Sequence, residues 1–277
     1  MNLAEPNVLK TFLQRYGITP QKRFGQHYLC SAHVVNKIVE AVSDVKGILE
    51  VGPGPGALTS ILSLKCEKLI AIEIDSKAVL MLEETAPNAE VISGDVLQLN
   101  LERMIEKLPV PRAVVSNMPY QITGPLFGKF SEIRNYYAKA VLMMQKEVGD
   151  RVLAVSGTKN YGSLSVFLQS QFEIKKLLNV SASSFLPPPK VESVVLEFIP
   201  KSTGLSFNQE PLYFKFVRIG FAHPRKTLVN NLVFGLRKER IEFEELLRRT
   251  GLEILVRPHQ LTLEHWRILF EEYEQMS

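Results

Sequence analysis

A short apolar run, Gly47-Ile-Leu-Glu-Val-Gly52, breaks into Pro53-Gly-Pro-Gly56 and resumes as a helical pattern from Ala57 to Leu64. Few folds contain such a join. Glycine reaches the positive-φ backbone of a sharp turn and lets main chain approach a ligand closely, while proline stiffens what lies between. The strand-then-helix order repeats downstream. Strands are predicted at 68–75, 89–95, 112–116 and 138–144, with helices at 76–85 and 99–108. Apolar strands alternating with helices imply an α/β fold built on a mostly parallel sheet covered on both faces.

The pattern changes after the fifth strand. Residues 161–171 read as a helix, and 177–180 and 193–199 read as strands around a stiff Phe185-Leu-Pro-Pro-Pro-Lys190 loop. Joined this closely, the two strands are expected to run antiparallel and close one edge of a seven-stranded sheet. Residues 201–210, followed by Pro211, read as a linker. Beyond it lie only helical patterns, at 212–222, 227–236, 241–249 and 263–275. Three regions are therefore expected: an N-terminal basic arm with helices over 1–46, a sheet domain over 47–200, and a small all-helical domain over 201–277.

Charge is unevenly spread. The chain carries 33 Lys and Arg against 29 Asp and Glu, yet residues 1–46 hold six basic and three acidic groups and residues 201–251 hold ten against five. Such patches suit a polyanion, or are solvated helix faces; charge alone does not choose. Two cysteines, Cys30 and Cys66, cannot form a disulfide framework, which fits a reducing compartment. No apolar run approaches the ~20 residues of a membrane span, and no basic segment followed by an apolar one opens the chain. A cytoplasmic protein with no membrane association is expected.

The glycine loop narrows the ligand. A dinucleotide loop spaces its glycines G-x-G-x-x-G and aims a helix N-terminus at pyrophosphate. Here the third glycine of Gly52-Pro-Gly54-Pro-Gly56 comes one residue early and two prolines stiffen the turn, which better suits a ligand without phosphates. Glu50, just inside the strand, would oppose a pyrophosphate and favour a cationic methionyl group. Glu73 ends the second strand 21 residues after Gly52 and can accept from a ribose diol. Asp95 ends the third strand and can accept from an adenine amino group. Each acid alone serves equally well as a helix cap. At successive strand ends they describe a nucleoside pocket, and S-adenosylmethionine fits it best.

Asn117-Met118-Pro119-Tyr120 follows the fourth strand, on the same edge of the sheet. An exocyclic adenine amine is a poor nucleophile because its lone pair is delocalised into the ring. Two acceptors, the Asn117 side-chain oxygen and the Met118 carbonyl, can take its two hydrogens and favour a more tetrahedral nitrogen. Pro119 fixes the backbone so that they converge. Tyr120 can stack on the purine and tolerate a nearby sulfonium. Positioning and preorganised acceptors then supply most of the catalytic effect, with neither a metal nor a covalent nucleophile required.

At this point the chain resembles the small-subunit ribosomal RNA adenine N6,N6-dimethyltransferase family, over nearly its whole length. Lys22-Arg-Phe-Gly-Gln26 with Leu29 is similar to the family's opening motif. Glu50 to Thr59 is similar to its donor loop, Ile72-Glu-Ile-Asp75 to its ribose motif, and Asn117 to Tyr120 to its acceptor motif. Gln145-Lys-Glu-Val148, Tyr161 to Val166, Phe185 to Ser193 and Arg225 to Asn230 follow in family order. The resemblance implies a Rossmann-like class I methyltransferase that uses S-adenosylmethionine. It implies four methyl transfers onto two adjacent adenosines in the hairpin loop near the 3′ end of 16S rRNA. It would place His27, Leu29 and Gly52 beside the donor, Glu73 on its ribose, Asp95 on its adenine and Asn117 at the reacting end. The helical C-terminal domain would contact the pre-ribosomal particle, and a monomer is expected. The family usually has Asn-Phe where this chain has His27-Tyr28, leucine at Met118, and a polar or basic pair at His223-Pro224.

Other residues keep two readings. Phe185 would form the second face of a flipped-base slot opposite Tyr120, or is a core phenylalanine anchoring a stiff loop. Lys22 and Arg23 either clamp the N-terminal arm or meet RNA phosphates. Arg225 and Lys226, in the basic segment, are RNA-contact candidates or solvated helix residues. His33, His259 and His265 lack metal-ligand spacing. Competing functions are a large-subunit rRNA adenine methyltransferase of the same fold, and an assembly or transcription factor without turnover. A nicotinamide-dependent oxidoreductase is disfavoured by the glycine spacing.

Overall fold

The computed structural model describes residues 2–18 and 27–276, which separate into two compact units. The first comprises residues 1–149 and 173–200. Its elements are α1 (Pro6–Arg15), β1 (Tyr28–Leu29), α2 (Ala32–Ala41), β2 (Gly47–Val51), α3 (Thr59–Leu62), β3 (Lys68–Glu73), α4 (Ser76–Thr85) and β4 (Glu90–Ser93). There follow α5 (Leu101–Ile105), β5 (Arg112–Asn117), α6 (Thr123–Glu132) and β6 (Lys139–Gln145). After α7 (Lys146–Val152) and α8 (Ser163–Gln171) come β7 (Phe172–Val180), β8 (Phe185–Leu186) and β9 (Ser193–Pro200).

Seven strands form one sheet in the order β4-β3-β2-β5-β6-β9-β7. The pairs β4–β3, β3–β2, β2–β5 and β5–β6 are parallel, and β9 runs antiparallel to β6. The strand alternation expected from the sequence is therefore present. Ile48, Leu69, Ala71, Ala113, Val115, Val141 and Val195 share one buried face with Val34, Val35 and Ile38 of α2 and Leu62 of α3. The alternate positions Leu49, Ile70, Ile72, Val114, Leu142 and Leu196 are also buried, so both faces are covered. β2 is central: the chain steps outward to β3 and β4 on one side and to β5 and β6 on the other. The gap between the carboxyl ends of β2 and β5 is thus a topological switch point, where open α/β sheets bind ligands.

β1 and β8 form a separate antiparallel ribbon, Tyr28 facing Leu186 and Leu29 facing Phe185, extended by a 2.8 Å bond from Cys30 N–H to the Ser184 carbonyl. Two-residue strands lie below the length at which alternation can be read from sequence. α6, with Leu126, Phe127 and Phe130 buried, was likewise not anticipated; Gly124, Pro125 and Gly128 weaken its helical pattern.

The second unit comprises residues 150–172 and 201–277. It contains α8 and four further helices, α9 (Gln209–Gly220), α10 (Leu228–Leu236), α11 (Arg240–Arg249) and α12 (Leu263–Met276). Tyr213, Phe216, Leu228, Leu232, Phe243, Leu246, Trp266 and Phe270 form its core. A Cβ on Gly220 would lie 2.4 Å from the Trp266 ring, so that glycine is what lets the indole seat against α9. The expected boundaries differ here. Residues 150–172 cluster with the helices because Tyr161 and Val166 join this aromatic core, while residues 1–46 cluster with the sheet because α2 covers it. No helix among the described residues is long and apolar enough to cross a membrane.

Candidate active site

The loop after β2 is built on positive-φ glycines, Gly52 at 71°, Gly54 at 56° and Gly56 at 96°. Gly56 is the most constrained: a Cβ there would lie 2.5 Å from Thr85 Oγ1 on α4. Thr85 in turn donates from that hydroxyl to the Pro55 carbonyl at 3.1 Å, so loop and helix are clasped together. The loop is also tied to the neighbouring strand end. Glu73 is 8% exposed, and its carboxylate accepts from Gly54 N–H at 3.0 Å and from the Ile74 and Asp75 N–H groups at 2.9 Å each. Burial nevertheless holds its pKa above the ordinary carboxylate value, with those three backbone bonds opposing the shift. Three of about four lone-pair positions are thus engaged, which leaves the equivalent of one for a ligand.

Glu50 lies inside β2, opposite Ala71 on β3 and Val115 on β5. It is 1% exposed, and its Oε2 has no hydrogen-bond partner. Burial pushes its pKa up to about 8; the Thr59 hydroxyl, near enough to favour the anion but outside hydrogen-bond geometry, opposes the shift, and the Glu73 charge adds to it. An unpartnered carboxylate in a sheet interior is expensive to ionise and needs a cation nearby.

Asn117 ends β5, beside Met143 on β6, and Met118 N–H continues that pairing to the Met143 carbonyl at 2.9 Å. The Met118 side chain is buried, so the chain's departure from leucine there is absorbed by packing. The Asn117 amide donates from Nδ2 to the His27 carbonyl at 3.4 Å. A carbonyl can only accept, so the amide orientation is settled and Oδ1 is the group left to accept. The Tyr120 hydroxyl bonds Ser193 Oγ at 3.0 Å. The His27 ring stacks beside Tyr120, centroids 5.9 Å apart and planes 29° apart, and its Nδ1 lies 2.7 Å from the Pro187 carbonyl. The proton is therefore on Nδ1, and the N-terminal segment, the acceptor motif and the proline loop are joined through this one residue.

The glycine loop, the two glutamates, His27 and the Asn117–Tyr120 motif meet around a cavity of about 840 Å³ within the sheet unit. Its wall includes His27, Leu29, Glu50, Gly52, Glu73 and Asn117 to Tyr120. Of the two readings kept for Phe185, the structure bears out the core anchor and not the slot wall: it is 2% exposed against α2, because pairing with Leu29 in the short ribbon turns it inward, and His27 takes the place beside Tyr120. Asp95, just past β4, accepts from Leu97 N–H through Oδ1 at 2.9 Å and so holds the turn that follows the strand. Lys22 and Arg23 lie outside the described residues. Arg225 and Lys226 are exposed on the helical unit.

The cavity wall also holds residues that sequence reasoning did not single out, notably Tyr28 and Ile74. Ile74 is 70% exposed, uncommon for an isoleucine between two acids just past a strand end. That flanking was the signal available: an apolar side chain with no core to enter, placed between two acids, Glu73 and Asp75, that line the same cavity.

The family described as Ribosomal RNA adenine dimethylase matches residues 18–275. The ribosomal RNA small subunit methyltransferase A of Alkaliphilus oremlandii is 37% identical over 276 residues, spanning 96% of each chain. Among solved structures, a dimethyladenosine transferase from Plasmodium falciparum superposes with a TM-score of 0.75 at 29% identity, covering 90% of this chain and 98% of its own. The 23S rRNA methyltransferase ErmE superposes with a TM-score of 0.65 at 26% identity, covering 90% and 100%. With its class I fold, its carboxylate-lined switch-point cavity and this full-length match, the chain belongs to the ribosomal RNA adenine dimethylase family.

Proposed function

We propose that this protein transfers methyl groups from S-adenosylmethionine to N6 of two adjacent adenosines in the 3′-terminal hairpin loop of 16S rRNA. The observation that carries the reading is the meeting of Glu50, Glu73 and the Asn117–Tyr120 motif around one cavity at the sheet's switch point. The residues fit the donor. The unpartnered Oε2 of Glu50 calls for a positive group, and the glycine loop spends the Gly54 N–H on Glu73, not on a phosphate. When bound, the donor supplies an electrophilic methyl carbon on a sulfonium.

The chain's own residues do the rest. Glu73 accepts from one ribose hydroxyl through the capacity its backbone bonds leave. Ile74 covers an apolar face of the donor. Asn117 Oδ1 and the Met118 carbonyl accept from the target amine, and Pro119, at φ −60°, holds the turn between them and Tyr120. Tyr120, braced by Ser193 and flanked by His27, supports the extruded base. Asp95, whose Oδ1 holds the turn after β4, accepts from the donor's adenine amino group through its other oxygen. The substrate is small-subunit rRNA within a pre-ribosomal particle, met by a cytoplasmic monomer.

The test is incubation of purified protein with immature small subunits and labelled donor, followed by nucleoside mass spectrometry. N6,N6-dimethyladenosine in the small-subunit RNA is expected; label confined to large-subunit RNA would replace the target, and no label at all would remove the activity.

Glu50 makes a separate prediction. With its pKa near 8, it is largely protonated at neutral pH in the free protein. A bound cation favours the carboxylate, so binding releases a proton, and affinity should rise as pH increases from about 6 to 8. Calorimetry in buffers of different ionisation enthalpy measures that proton directly. Glu50→Gln should abolish the release and flatten the profile. Because a raised carboxyl pKa stabilises the fold below the unfolded value and loses that contribution as pH rises through the folded one, the variant should also melt higher than the parent at alkaline pH.

A further inference from the structure

The helical unit carries a feature that the methyl-transfer site does not use. Phe234 on α10 is 72% exposed, although the helix buries Leu228, Val229, Asn231 and Leu232 on its other side. Solvent-exposed phenylalanine is ordinary singly, but this one is accompanied by a built structure. The His223 ring meets it edge-on, centroids 5.8 Å apart. His223 itself is held by a fully buried side chain: Asn231 Oδ1 accepts from His223 N–H at 2.9 Å, and Asn231 Nδ2 donates to the His223 carbonyl at 3.1 Å and the Thr227 carbonyl at 3.3 Å. Lys226 N–H closes the turn onto the His223 carbonyl at 2.9 Å. A core asparagine thus holds in place a surface turn that would otherwise be loose.

The charges flanking this corner are those of a nucleic-acid surface. Arg225 and Lys226 follow His223 in the turn, and Arg237, in left-handed conformation at φ 57°, ends the helix three residues after Phe234. All three are exposed, and none is in an ion pair among the described residues. By contrast, Lys238 and Arg240 immediately downstream pair with Glu242 and Glu244. Unpaired cations around an aromatic face are the recurrent means of holding a single nucleotide, with the base on the ring and the phosphates on the side chains. Apolar protein partners would gain nothing from the cations.

We infer that the His223–Phe234 corner is a stacking platform for one unpaired nucleotide of the RNA substrate, separate from the methyl-transfer cavity, and that Arg225, Lys226 and Arg237 hold its flanking phosphates. The inference rests on the proposed RNA substrate and adds a second, sequence-tolerant anchor on the helical unit. Stacking on the open face of Phe234 supplies affinity without reading a base, while the preformed turn limits the entropy lost on docking.

The experiment uses the full chain with small-subunit rRNA, both protein-free and in immature subunits. Phe234→Trp keeps the platform and adds an exposed fluorophore to a chain whose single tryptophan, Trp266, is buried. RNA should quench the new emission. Phe234→Ala should weaken RNA binding about tenfold at unchanged salt dependence and unchanged affinity for the donor. A double Arg225→Ala, Lys226→Ala variant should make the salt dependence shallower. Unquenched emission with parental RNA affinity in Phe234→Ala would overturn the platform. Weakened binding to subunits but not to protein-free RNA would overturn it in favour of a ribosomal-protein contact. Failure of the parent protein to methylate any RNA would count against the function instead, and is read independently of these binding measurements.

Discussion

Asn117→Ala is expected to lower the rate of methyl transfer by at least about 10²–10³-fold while donor affinity changes little, the scale seen when one preorganised acceptor or donor at a reacting group is lost. The reason lies in the geometry at the end of β5. Nδ2 is committed to the His27 carbonyl, so Oδ1 is the atom that can receive a hydrogen of the target amine. Alanine removes that acceptor and leaves the Met118 carbonyl alone, which no longer favours a tetrahedral nitrogen. Single-turnover rates beside an equilibrium donor titration separate the two effects. Asn117→Asp supplies a control: it keeps an acceptor but places an acceptor against the His27 carbonyl, so it should recover only part of the rate. If alanine reduced donor affinity as much as turnover, the residue would be holding the cavity together and not the amine.

Glu73→Ala is expected to act on two quantities at once. The carboxylate accepts from three backbone N–H groups and clasps the glycine loop to the end of β3. Its removal leaves three partly buried donors without their protein partner, each worth up to ~1–3 kcal/mol where water cannot reach it. Water entering the cavity would recover part of this, so a destabilisation of ~1–3 kcal/mol in all is expected in thermal or denaturant unfolding. Donor affinity should fall about tenfold to a hundredfold, since the ribose contact and the loop geometry go together. Glutamine should not rescue, because its amide would turn N–H groups toward N–H groups. Parental donor affinity in the alanine variant would take Glu73 out of the binding site. The pH profile has a definite sign: burial raises this carboxyl's pKa, the ribose bond needs the anion, and so this contribution is lost as pH falls, earlier than for an exposed glutamate.

Much of this site was legible in the sequence because its parts are local. A glycine-proline turn, an acid at a strand end and an Asn-x-Pro-Tyr tetrapeptide each declare themselves within a few residues. Strand alternation then orders them along one edge, and the parallel pairing of β2, β3, β4 and β5 places them there. Phe185 kept two readings, slot wall and core anchor, because nothing within a few residues chooses between them; a ribbon with Leu29, more than 150 residues away, turns it into the core. Nothing local distinguishes an acid that faces a ligand from one that caps a turn, and Asp95 Oδ1 does accept from Leu97 N–H.

What the sequence by itself determined was the class of fold, a mostly parallel sheet covered on both faces, and the identity of the residues at the sheet's carboxyl edge, since hydrophobic period and backbone sterics act over short range. Only the tertiary structure decided which of those residues share a cavity, that Glu50 is buried without a partner, that His27 flanks Tyr120, and that residues 150–172 pack with the helices. Those outcomes depend on desolvation and on pairing between distant segments, which are properties of the assembled surroundings and not of any stretch of chain.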